Sequence, residues 1–410
     1  MQTEITQHIG YDPLGNCGKG KCPICARTNA LFSLRKDFGK TEFMSDSFSV
    51  FVGRFNYPNI NVGILEPPSL LEDSWIYDSQ KYWAEHNFEI PRIVALRSSL
   101  INSRFKSNVL DARKKGKFLG LSREISMASE PVDIEVHLEK VPKFNLSIDS
   151  YALPMGPNAQ LKKIFLTQNP RIPAMIEKVV SDTDLKAIDG LNMLYKSNFD
   201  ENTLTKLLSI GNLGLKKDRK LVPTRFSITA VDCNLGNNLA DEIKKFSNCG
   251  HMAFFGGYLG NYFLILLFTG IYSYELFETY VPSFQKNNSF TSDFEPYGGR
   301  KKYAEQTAGG FYASRLAITE KLMEMKRQAS VLVLRFITPE YTMPLGVFVV
   351  RECVRKTLKG KPIEFGSREL MLKYAEILIR RKFNIDINFF LKRSKILREV
   401  QSQSKLVNFF

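Results

Sequence analysis

Three cysteines crowd into one short N-terminal stretch, His8-Ile-Gly-Tyr-Asp-Pro-Leu-Gly-Asn-Cys17-Gly-Lys-Gly-Lys-Cys22-Pro-Ile-Cys25. Glycines and a proline between soft ligands permit the tight turns that bring several side chains onto one ion. Cys22-x-x-Cys25 has the spacing of a zinc knuckle, and thiolates suit Zn²⁺ in tetrahedral geometry. A closed structural site needs four ligands, and His8 is the nearest histidine. The expected set is therefore His8, Cys17, Cys22 and Cys25 around one structural zinc. The plainer reading is a basic arm with free thiols. Cys233, Cys249 and Cys353 stand apart from the cluster, which is not the framework of a small disulfide-rich secreted domain.

Other polar groups recur at spacings that carry chemistry. Asp133-Ile-Glu-Val-His137-Leu-Glu139 alternates polar and apolar, as a half-exposed strand does, with His137 beside Glu135 and Glu139 on one face. Such a face can bind a metal, although it is more often the wet side of a sheet. His86, between Trp83 and a polar segment, reads as a packing or surface residue. Walker A, G-x-S-x-G, H-E-x-x-H and zinc-deaminase patterns are all absent. Chemistry built on Asp and Glu gathered by folding remains open, as in a nuclease or a base glycosylase.

Cations outnumber anions, 57 Lys and Arg against 42 Asp and Glu, for a formal net charge of +15. The surplus is uneven: residues 351–410 carry fifteen basic and six acidic side chains. A solvated surface does not require that asymmetry, so a polyanion is the favoured partner. Candidate nucleic-acid contacts are Arg54, on the loop that leaves the strand Phe48–Val52, and Arg225, within Val222–Asp232, which reads as a proline-initiated strand. Lys392, Arg393 and Lys395 join them near the C-terminal end. Residues 88–116 form another basic stretch, with Ile93, Leu96, Leu100 and Ile101 at helical spacing, which predicts a helix with one cationic face.

The last eight residues, Gln403-Ser-Lys-Leu406-Val-Asn-Phe409-Phe410, follow Q-x-x-aliphatic-x-x-aromatic-aromatic. In a single 3₁₀ turn, Leu406 and Phe409 share a side, Phe410 stands beside them, and the Gln403 amide lies at the rim. A three-pronged apolar plug of this kind fills a hydrophobic pocket. The pattern resembles the PIP box, the peptide by which replication and repair proteins hold the sliding clamp PCNA.

The expected architecture is α+β (mixed α/β). A Cys-rich segment covers residues 1–30 and a β-rich N-terminal body residues 31–285. A smaller C-terminal helix-strand-helix domain covers 286–396, and a flexible tail 397–410 carries the peptide. The boundary rests on the loop Gln285–Arg300, rich in Asn, Ser, Gly and Pro. Ser181-Asp-Thr-Asp184 predicts an N-cap for a helix ending near Lys196. In the helix expected from Phe311 to Arg327, Arg315 lies off the apolar stripe. No secretory signal and no apolar run of spanning length is visible, so a cytoplasmic, nucleoid-associated protein with no membrane contact is expected.

Several stretches together resemble one family, the archaeal Nre DNA-repair proteins. They are FSVFVGRFNYPNINVG at 48–63, EPVDIEVHLE at 130–139, PMGP at 154–157, SDTDLKA at 181–187 and RKLVPTRFSITAVD at 219–232. AGGFYASRLA at 308–317, QASVLVL at 328–334 and PEYTMPLGVFVVRECVR at 339–355 complete the set. The resemblance implies repair of DNA damage with recruitment by PCNA, and it implies no catalytic residue. The family pattern places a C-x-x-C pair before C-G-x-x-x-C-P. Only Cys17-Gly-Lys-Gly-Lys-Cys22-Pro matches here, which leaves His8 and Cys25 to complete a zinc set. Two other classes stay in view: a carboxylate- or metal-dependent repair enzyme, and a zinc-containing RNA-binding protein.

Overall fold

The computed structural model describes residues 22–142 and 155–400. His8, Cys17 and residues 401–410 of the expected tail, with Gln403, Leu406, Phe409 and Phe410, lie outside the described residues; residues 397–400, also expected in a flexible tail, are helical, and Leu397 is buried. The fold is mixed α+β, as the sequence leads one to expect, and its described strands form two six-stranded sheets. Two compact units divide it, Met1–Val231 with Met343–Gly346, and Asp232–Thr342 with Val347–Phe410.

The first unit is built on β1 (Glu42–Ser47), β2 (Ser49–Val52), β3 (Asn59–Glu66), β4 (Ile101–Asn108), β5 (Val132–Leu138) and β6 (Asn158–Leu166), in the order β1-β5-β6-β4-β3-β2. Only Phe48 separates β1 from β2, yet they stand at opposite ends of that order. The sheet must therefore curl round on itself, as strands do when a sheet closes towards a barrel. Ser45 and Ser47 of β1 confirm the approach, donating to the carbonyls of Pro67 and Leu65 at the end of β3. Strand alternation turns Val50, Val52, Ile60, Val62, Ile64, Ile134, Val136 and Ile164 into one buried cluster. The helix Lys117–Met127 adds Leu119 and Ile125 to that cluster.

The second unit orders β7 (His251–Tyr258), β8 (Asn261–Phe268), β9 (Ser273–Tyr280), β10 (Thr291–Glu295), β11 (Ser330–Ile337) and β12 (Ile363–Phe365) as β10-β9-β11-β8-β7-β12. β11 enters between β9, which it pairs in parallel, and β8, which it pairs antiparallel. Its residues Ser330–Phe336 are all buried, as suits a strand covered on both faces. One sheet thus draws strands from both sides of the loop 285–300, and the two compact units divide inside the helix Thr224–Ile243.

Several local expectations are corrected. Val222–Asp232 is not a strand: Pro223 precedes the helix Thr224–Ile243, where Ser227, Val231 and Leu235 are buried at i, i+4, i+8. Proline there loses only an amide that the first helical turn leaves without an intrahelical partner. The basic stretch 88–116 is not one helix either. A helix spans Ile90–Ser98, and β4 follows, burying Ile101, Ser103, Phe105 and Ser107 with period two. Ser181 ends the helix Ala174–Ser181 rather than capping the next, Ala187–Lys196, which starts after Lys186 without a side-chain cap. Arg315 is buried, not turned away from the core.

Candidate nucleic-acid interface

Arg54 and Arg225, 171 positions apart in sequence, each stand within two residues of a hydrogen bond that ties their segments together in the first unit. The Val52 amide at the end of β2 donates to Thr224 Oγ1 at 2.9 Å, tying the root of the β2–β3 loop to the start of the helix Thr224–Ile243. On the far side of the loop, the Val109 amide donates to the Pro58 carbonyl at 2.9 Å and the Leu221 amide to the Val109 carbonyl at 2.8 Å. Both ends of residues 53–58 are thus laced to the segment 221–224. Arg54 and Arg225 are exposed, and among the described residues no carboxylate pairs with either. The Arg54 guanidinium lies 4.9 Å from the centre of the Phe55 ring.

The second unit holds the other predicted cations. Lys392, Arg393 and Lys395 are exposed. Arg393 lies 3.7 Å from the Phe389 ring centre and donates from Nη1 to the Phe389 carbonyl at 2.9 Å. Lys395 begins the helical residues 395–400, whose amides are satisfied by a side chain from the sheet. Glu275 of β9 accepts from the Ser394 hydroxyl at 2.6 Å, the Lys395 amide at 3.0 Å and the Ile396 amide at 3.2 Å. Ser394 Oγ in turn accepts from the Leu397 amide at 3.2 Å, as an N-cap does. Burial pushes the Glu275 carboxyl up, against the pull of these donors. The root of the tail is therefore fixed to the sheet.

Of the metal candidates, Cys22 and Cys25 are described and half-buried. They sit at the N-cap and in the first turn of the helix Pro23–Asp37. The expected acidic strand face is a small charge cluster: His137 lies between Glu135 at 2.8 Å and Glu42 at 3.0 Å. The Glu135 hydrogen bond, aided by Glu42, raises its pKa. Among the described residues no group of three or more His, Cys, Asp or Glu is placed to hold a metal. His86 stacks on Tyr82 with ring centres 3.8 Å apart, a packing role. Burial pushes the Cys249 thiol up to about 11 and that of Cys353 to about 12, so neither is an activated nucleophile.

Three buried carboxyls of the first unit were not legible in the sequence, because only folding encloses them. Asp78 accepts from Ser49 Oγ at 2.7 Å, Arg97 Nη1 at 2.6 Å and Asn202 Nδ2 at 3.2 Å. Asp46 takes the Ser74 hydroxyl and the Leu71 amide. Glu66 takes the Ser103 hydroxyl on one oxygen, while its other oxygen has no partner. Desolvation holds the Glu66 carboxyl well above its ordinary range. Asp46 and Asp78 spend their hydrogen-bonding capacity on structure, and Glu66 is fully enclosed. None presents a carboxylate to a substrate.

Two family models span the chain: archaeal Nre, N-terminal, over residues 16–285, and archaeal Nre, C-terminal, over residues 295–409. DNA repair protein NreA of Haloferax volcanii is 36% identical over 323 residues, covering 76% of this chain and 77% of its own. DNA repair protein NreB of Archaeoglobus fulgidus is 33% identical over 387 residues, 93% of this chain and 94% of its own. NreA of the same organism is 36% identical over 375 residues, 89% and 92% of the two chains. No solved structure matches. With the N-terminal model alone covering more than half of the sequence and these relatives aligned along most of it, the chain belongs to the archaeal Nre family.

Proposed function

We propose that this Nre protein acts in the repair of archaeal DNA and is held at its substrate by the sliding clamp PCNA through Gln403, Leu406, Phe409 and Phe410. The observation that carries the reading is the pairing of that terminal peptide with relatives named as DNA repair proteins. A short peptide seated in a preformed pocket gives up ordering entropy and binds moderately. A clamp already on DNA raises the local concentration enough for such a contact to suffice. The site of action is then the cytoplasm, on the nucleoid, and among the described residues no helix is long and apolar enough to cross a membrane.

The test is a titration of clamp binding with the full chain and a Leu406→Ala/Phe409→Ala variant. Loss of binding with an unchanged unfolding midpoint is expected, whereas unchanged binding overturns the reading. The same proposal gives His8, Cys17, Cys22 and Cys25 to one structural zinc. Purified protein should then carry about one zinc per chain, and Cys22→Ser/Cys25→Ser should carry none.

A further inference from the structure

The tied segments that hold Arg54 and Arg225 also carry three large rings left in solvent. Phe55 and Tyr57 are each 67% exposed and Phe226 is 57% exposed. Apolar side chains at such exposure gain little from the core, and here each segment places an arginine next to a ring: Arg54-Phe55-Asn56-Tyr57 on the loop and Arg225-Phe226 on the helix. The hydrogen bonds from Val52 to Thr224 and from Val109 to Pro58 hold the two segments side by side. The rings belong to short, tied segments, so little backbone freedom would be lost on binding.

The chain leaves these segments along the 3₁₀ helix Val109–Arg113, which is about one 10 Å step long. It then enters a shallow, open depression at the N-terminus of the helix Lys117–Met127, where Lys114, Lys115, Lys117 and Arg123 outnumber the one acidic neighbour, Glu124. Lys114 lies 3.1 Å from Asp111, while Lys115 is exposed and, among the described residues, unpaired. Rings beside a cationic track are what an unpaired strand needs: each base offers a π-face to stack, and the backbone offers a phosphate between successive bases. A duplex keeps its base faces stacked, so exposed rings reach them only at the cost of unstacking a base step.

We propose that the first unit binds unpaired DNA, with Phe55, Tyr57 and Phe226 stacking bases, Arg54 and Arg225 beside them on phosphates, and the lysine-rich depression receiving the strand as it leaves. This deepens the DNA-repair reading by naming the form of DNA, and it makes no use of the clamp.

The experiment measures affinity of the full chain for a fluorescently labelled dT oligonucleotide, the same strand annealed to its complement, and the RNA equivalent, without PCNA and at several salt concentrations. The single DNA strand should bind at least tenfold tighter than the duplex. Phe55→Ala, Tyr57→Ala and Phe226→Ala should each weaken it about tenfold, and Arg54→Gln/Arg225→Gln should flatten the salt dependence by about one and a half logarithmic units per decade. Tyr57→Phe keeps the ring and should bind like the parent. A 2-aminopurine in the strand should lose fluorescence on binding the parent and keep it with the triple alanine variant, whose unfolding midpoint is measured alongside. Duplex bound as tightly as the single strand, RNA preferred to DNA, or ring variants with parental affinity would each overturn the inference. Clamp binding is untouched by any of these results, so failure here and failure of the clamp reading are separable.

Discussion

Glu275 and Ser394 lie 119 positions apart, and the Ser394 hydroxyl donates to Glu275 Oε2 at 2.6 Å. The same carboxylate takes the first two amides of the helical residues 395–400. A negative group at a helix N-terminus is favoured by the helix dipole, and here it also anchors the last described segment to β9. Glu275→Ala strips three donors of their acceptor at once. It should lower stability by about 2–4 kcal/mol in urea titration. Amide exchange at 395–400 should speed up more than in β8.

Glu66 makes the fold sensitive to pH. Desolvation raises its carboxyl well above the ordinary carboxylate range, so the folded chain keeps a proton that the unfolded chain releases. Its favourable term is fully present below the unfolded value and is lost as pH rises towards the folded one. The stability difference between the parent and Glu66→Gln should therefore fall by about 1.4 kcal/mol per pH unit in that window. Urea midpoints of both chains at pH 5, 6, 7 and 8 check this; parallel curves would contradict it.

Arg335 is the busiest cation of the second sheet. It donates to Glu278 Oε1 at 2.6 Å and twice to Asn261 Oδ1, at 3.0 and 2.6 Å. Removing one partner of a buried pair strands the other, so Arg335→Met should cost about 3–5 kcal/mol. Gly310 supports the pair by leaving room, since a Cβ there would stand 2.6 Å from Glu278 Oε1. Gly310→Ala should destabilise by about 1–3 kcal/mol, and the two losses should not add. Chemical denaturation of both single variants and the double variant measures the coupling.

Lys392, Arg393 and Lys395 differ in how firmly they are held. Arg393 is braced on Phe389, so Arg393→Ala should reduce stability by about 0.5–1 kcal/mol, while Lys392→Ala should leave it unchanged. Both substitutions should lower the salt dependence of clamp or DNA association, because each removes an exposed charge. Leu406→Ala should leave the salt dependence alone and weaken clamp binding at every ionic strength.

What the sequence by itself determined was whatever is written in short-range spacing. The mixed α+β class, the alternating strand Val132–Leu138 and the covered strand Ser330–Ile337 follow from periods of two and from apolar runs. The terminal peptide and the cysteine spacing are legible for the same reason, since their chemistry lies within a few residues. Tertiary structure alone decided the rest. Val222–Asp232 alternates well enough to pass for a strand, and only burial of Ser227, Val231 and Leu235 along one stripe shows it as helix. Arg315 looks like a surface cation until Glu295, twenty positions earlier, is found buried against it. Arg54 and Arg225 were each an isolated basic residue until the Val52–Thr224 hydrogen bond joined their segments. Long-range pairing depends on how the sheet closes, and neither a local period nor a composition encodes which distant residues that closure will bring together.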